Sequence, residues 1–214
     1  GWSEVPAAQL TGYAVAPVKL GTTWACGAQR YVASGGALRP LSAAAADATG
    51  LTFVAMDPVT CASVPRSSSV LTGPVFVRST GAADLFLAEG GKRRAVSSMD
   101  TVYALAAGGP VTVVQVEQAA LDAIPLGGPV LTPGRVVKSA AGPDLFLVDG
   151  TSTLRHVVSF ATMTELGVTG WSEVPAAQLT GYAVAPVKLG TTWACGAQRY
   201  VASGGALRPL SAAA

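Results

Sequence analysis

The chain has 214 residues, half of them apolar and only 12% charged, with a formal net charge of +2. That balance gives no electrostatic case for nucleic acid, and the only basic cluster is the short run Lys92-Arg93-Arg94. No apolar stretch reaches the roughly 18–20 residues a membrane-spanning helix needs, since Gly and Pro interrupt every candidate, as Gly108-Gly109-Pro110 does.

The order of the chain is set by repetition. Residues 1–45 recur letter for letter as 170–214, an offset of 169. An expanded array of such blocks, or an overlapping or permuted arrangement made by design, both account for it. Inside the block lies a diverged period of roughly 55–60 residues. Trp171–Val174–Leu179–Tyr182 has the same spacing as Phe53–Met56–Cys61–Val64 and Val113–Val116–Leu121–Ile124. The chain therefore reads as one repeat domain. Residues 1–20 are the second half of a unit A, 21–73 a unit B, 74–133 a unit C, 134–189 a full unit A, and 190–214 the first half of unit B again.

In chain order, each unit predicts three short strands, a short helix and an extended tail. Unit B opens on a strand carrying Cys26, turns at Ser34-Gly35-Gly36, and returns on a strand with Arg39 that ends at Ser42. Unit C repeats this with Asp84–Gly90, Arg94 and Ser97, followed by a helical segment over Glu117–Ala123. Unit A gives Val136-Val137-Lys138, then Leu145–Val148, a turn at Asp149-Gly150, and Leu154–Val158. Ser159 then caps a helix that Gly167 ends, and Pro175 starts a second helical turn at its first position.

The expected fold is β-rich with short helices. Three short strands cannot bury their own apolar face, so neighbouring units must stack. A propeller-like toroid, in which 190–214 joins 1–20 as a composite unit, removes exposed sheet edges and is the favoured closure. An open solenoid is the alternative.

The cysteines occupy two unique positions, because Cys195 is the copy of Cys26. Cys61 takes the interior slot of Leu121 and Leu179, and both Cys26 and Cys61 lie in unit B. One disulfide is the favoured reading and two inert thiols the other; a loop of this length contributes about 3–4 kcal/mol on the chain-entropy model. A disulfide favours an oxidising, secreted setting, and Cys195 is left without its partner. No metal site or cofactor is expected. No residue set is expected to be catalytic: His156 stands alone, and no nucleophile motif or phosphate loop occurs.

For ligand binding the candidates are Trp24, the aromatic least constrained by the repeat, and the equivalent arginines Arg39, Arg94 and Arg155. Core packing and a solvated strand face are the competing readings for these. Trp171 and Tyr182 fall in periodic slots expected to be core.

Leu145-Phe-Leu-Val-Asp-Gly150 with Leu154-Arg155-His156-Val157, Cys26–Gly36, and Val75-Phe-Val-Arg-Ser79 resemble repeats of secreted actinobacterial cell-wall hydrolases and surface proteins. The resemblance implies an extracellular attachment or wall-binding part, with cell-wall polymer or another glycan as partner. It carries over no ligand residues. The expectation is a non-enzymatic binding module; the alternative is a spacer or filament that self-associates through 1–20 and 190–214.

Overall fold

The computed structural model describes residues 4–14, 21–34, 36–109, 111 and 113–211. Unit B comprises β1 (Thr23–Cys26), β2 (Gln29–Ser34), β3 (Ala37–Leu41), α1 (Ala43–Thr49), β4 (Val54–Ala55) and α2 (Pro58–Ser63). Unit C comprises β5 (Val75–Ser79), β6 (Leu85–Glu89), β7 (Lys92–Val96), α3 (Met99–Ala106), β8 (Val113–Val116) and α4 (Gln118–Asp122). Unit A comprises β9 (Val136–Ser139), β10 (Leu145–Asp149), β11 (Thr153–His156), α5 (Phe160–Glu165), β12 (Ser172–Val174), α6 (Ala176–Leu179) and β13 (Ala183–Val184). The last hairpins are β14 (Thr192–Cys195), β15 (Gln198–Ser203) and β16 (Ala206–Pro209).

The first three strands of each unit form an antiparallel meander, and the fourth returns parallel to the first. The tail then runs parallel to the third strand. It bonds at Leu71 N–H to the Pro40 carbonyl, Val130 to Ala95, and Leu189 to His156, each at 2.8 Å. Each full unit thus covers both edges of its meander with its own chain.

Local chemistry explains the helices. Ser42, Ser98 and Ser159 each accept the backbone N–H three residues on, at 3.1–3.2 Å, which satisfies an orphan donor of the first turn. In unit C the cap is Ser98 rather than Ser97, so the strand end and the cap are different serines. Pro175 stands at the N-cap instead of the expected first helical position, which Ala176 takes.

Alternation gives every sheet two apolar faces. In unit C, Phe76, Leu87 and Arg94 align on one face, and Val75, Ala88 and Arg93 on the other. The second face joins Val32, Leu41, Ala45 and Ala46 of unit B in one continuous core. At its rim Arg93 reaches Asp122 at 2.9 Å. That carboxyl is held below its ordinary value mainly by a hydrogen bond from Gln118, with Arg93 adding to it.

No closed propeller-like toroid is found among the described residues. The strands make four separate small sheets, and the last holds β14, β15 and β16 alone. Residues 4–14 are exposed and carry one 3-10 turn, Ala7–Leu10, with nothing buried. Closing a ring was expected to relieve open edges, but the return strand and the tail have already covered them. The expected pairing of 1–20 with 190–214 is not made by the described residues; residues 1–3, 15–20 and 212–214 lie outside them.

Cys26 and Cys61 form a disulfide, with Cα atoms 6.0 Å apart, and Cys195 is free and exposed. No helix among the described residues is long and apolar enough to cross a membrane.

Candidate binding groove

Unit A presents two large aromatic side chains to solvent. Phe160, the first residue of α5, is 65% exposed, and Trp171, just before β12, is 49% exposed. Their ring centroids lie 5.9 Å apart at 47°. Adjacent exposed aromatics are informative because hydrophobic surface of this kind is usually buried or used.

The local chain puts them there. Ser159 fixes the start of α5, which orients Phe160 at its first turn. Gly167, at φ +71°, ends the helix and turns the chain into the loop that carries Trp171. A groove of about 400 Å³ beside the two rings is lined by Phe160, Met163, Thr164, Val168, Thr169 and Trp171. On the other side of Trp171 a second cleft of about 400 Å³ continues past Arg135 and Ser172.

The same place is grooved in unit B. Counting from the capping serines Ser42 and Ser159, Ala46 matches Met163, Asp47 matches Thr164, Gly50 matches Gly167, and Leu51 matches Val168. These residues of unit B, with Arg30 and Phe53, line a cleft of about 380 Å³. Arg30 lies 5.9 Å from the centre of the Phe53 ring. In unit C the residues at the Phe160 and Thr164 positions are Met99 and Tyr103, both exposed. An aromatic face beside hydroxyls, a guanidinium and open backbone suits an uncharged amphipathic ligand: one side to stack, and polar edges to bond.

The residues expected from sequence lie elsewhere. Trp24 is 8% exposed, packed with Tyr31 and Leu38, and its indole N–H donates to the Gly21 carbonyl at 2.8 Å. Of the two readings of Trp24, core packing is the one found: the disulfide-bonded second half of its own unit covers it. Arg94 is buried as well. It donates to the carbonyls of Gly128 (2.9 Å), Pro129 (3.2 Å) and Thr151, pairs with Glu89, and lies 5.0 Å from the Tyr182 ring centre. It ties the unit C tail to unit A.

Arg155 makes a smaller version of this, to Asp149 at 2.5 Å and the Val187 carbonyl at 3.5 Å. It lines a cleft of about 440 Å³ together with Lys188, Trp193 and Cys195. Arg39 is half-buried opposite Val32. Each arginine belongs to a different sheet, so they are a repeated position and not one cluster. His156 sits 3.2 Å from Asp144 and edge-on to Phe146.

Sequence reasoning missed the Phe160–Trp171 platform by placing Trp171 in a core slot. One signal was available. Gly167 to Trp171 is four residues, whereas Gly50 to Phe53 is three, and the extra Gly170 lengthens the loop.

No protein-family model and no curated protein sequence matches the chain. Among solved structures, it is similar over 97% of its length to 74% of a chain in the periplasmic assembly from the ESX-5 inner membrane complex, at 14% identity and a TM-score of 0.25. It is similar over 95% of its length to 62% of a chain in an intact ESX-5 inner membrane complex, at 14% identity and a TM-score of 0.23. The chain thus spans less than two thirds of that second protein. At these scores the likeness carries no argument about fold or function.

Proposed function

We propose that the chain is a non-catalytic, extracytoplasmic binding module that takes up an extended glycan, cell-wall polymer foremost, along grooves beside its helix caps. The observation that carries this is the exposed Phe160–Trp171 pair, set in a groove that recurs at the matching place in unit B. Recurrence matters because a polymer offers the same sugar face many times, and weak sites gain when several engage one strand. The location outside the cytoplasm is supported by the Cys26–Cys61 disulfide, which a reducing compartment would not keep.

The test is co-sedimentation of the full chain with insoluble wall material and with neutral polysaccharides. The expected result is retention that drops about fivefold or more in Trp171→Ala, since loss of a stacking face is worth ~1–3 kcal/mol. Retention unchanged in both Trp171→Ala and Phe160→Ala would sink the groove. A second reading, a spacer built of stacked units, is favoured by the regularity of the unit junctions, and it predicts retention on nothing.

A further inference from the structure

We infer that the helix-cap edge of unit A is a docking surface for a second copy of this chain, whose residues 21–41 take the place that 190–210 hold here. Two junctions in the molecule set the rule. Between units B and C, Gly50 caps α1 at φ +65°, and a Cβ there would stand 2.9 Å from the Cα of Gly91. The Gly91 N–H donates to the Ala48 carbonyl at 3.0 Å. Between unit A and the last sheet, Gly167 follows the C-cap Leu166 of α5 at φ +71°, and its Cβ would stand 2.7 Å from the Gly205 oxygen. The Gly205 N–H donates to the Glu165 carbonyl at 3.1 Å.

The two junctions share one grammar. The donor is a glycine in the turn between the second and third strands, and the acceptor lies two residues before the left-handed glycine that ends the helix. Backbone meets backbone, so a side chain at Gly50 or Gly167 would hold the units apart, whereas a Cβ at Gly91 meets nothing within 4 Å and one at Gly205 comes only to ordinary contact. The B–C junction also shows that a complete unit, carrying its own second helix, docks this way.

Gly36 is the sequence copy of Gly205. It stands at φ +80°, exposed, with nothing within 4 Å of where its Cβ would be. Its hairpin has the same register as the docked one: Ala33 opposite Leu38 and Ser34 opposite Ala37, as Ala202 is opposite Leu207 and Ser203 opposite Ala206. A hairpin that unit A already holds is displayed a second time on unit B, and among the described residues no helix end accepts a bond from Gly36 as Glu165 does from Gly205. Copies can join end to end, Gly36 of one on Gly167 of the next, once 190–210 yields its place. The tethered copy has an effective concentration on the order of millimolar, so at micromolar protein the unaltered chain stays closed on itself.

The experiment removes only the tethered competitor. Gly205→Val forces a β-branched residue to φ +79°, a conformation such side chains rarely adopt, and extends its γ-carbons from a Cβ already in contact, 3.5 Å, with the Gly167 Cα, while leaving Gly36 untouched. Sedimentation velocity from micromolar to submillimolar protein is read beside limited proteolysis of 190–214. The expected result is release of 190–214 and concentration-dependent dimers and longer species, at concentrations about a hundredfold or more below those the unaltered chain needs. The double variant Gly36→Val/Gly205→Val is expected to release the segment and remain monomeric. The inference is overturned if the double variant associates as strongly as the single one. It fails equally if the single variant stays monomeric with 190–214 released, or keeps that segment docked and protected. Glycan retention is measured separately on Trp171→Ala, so loss of one reading leaves the other standing.

Discussion

Residues 21–41 and 190–210 have one sequence in two settings, and the contrast separates what is local from what is not. The strand register is the same in both: Trp24 faces Tyr31 as Trp193 faces Tyr200, and Tyr31 faces Pro40 as Tyr200 faces Pro209. The indole of each tryptophan donates to the carbonyl three residues before it, Gly21 or Gly190. Gln29 and Gln198 each close the hairpin onto the carbonyl of Leu41 or Leu210. Burial does not follow. Leu38 is 1% exposed and its copy Leu207 41%. Cys26 is bonded, and Cys195 is free. The meander is written in its own residues; the core belongs to the segment that folds over it.

The largest effect is expected from cutting the covalent link between those two parts. Cys61→Ser should lower unfolding free energy by about 3–4 kcal/mol in urea titrations, with no added loss on reduction. Cys195→Ser should change nothing measurable, and a Cys61→Ser chain as stable as the unaltered one would show that the bond only decorates a finished core. Next in size is the leucine pair. Leu38→Ala removes a fully buried side chain and should cost about 2–4 kcal/mol, whereas the same change at Leu207 should stay within ~0.5 kcal/mol. Equal costs would mean that the second copy is covered as well as the first.

The same division explains what could be read from the sequence. Strands, hairpin turns and the cap Ser159 were legible because each depends on neighbours a few residues away. The Cys26–Cys61 bond was legible because two cysteines fell in one unit, one of them at an interior slot. The return strands were not: β4 has only two residues, and its partner β1 lies some thirty positions back. Without them the sheet edges looked open, and a ring seemed needed to close them. Trp24 and Trp171 were exchanged for a related reason. Exposure is decided by what a distant segment covers, and a periodic slot records only where a side chain starts from. The platform at Phe160 and Trp171 depends on one inserted residue, Gly170, which an alignment by hydrophobic spacing passes over.

A second pair of copies sharpens the point at a single atom. Tyr182 turns its hydroxyl to the Leu131 backbone, accepting that N–H at 2.8 Å where the tail of unit C meets unit A. Its copy Tyr13 is 80% exposed. Tyr182→Phe leaves the ring under Arg94 and removes only the acceptor, so a partly buried N–H loses its partner. The expected cost is about 1–2 kcal/mol, and exchange of the Leu131 amide should quicken while that of Val148 N–H, bonded to the Arg135 carbonyl within unit A, does not. Tyr13→Phe should be silent in both. If the Leu131 amide stayed protected in Tyr182→Phe, the junction between units C and A would rest on Arg94 alone, and the tyrosine would be a packing residue whose hydroxyl is incidental.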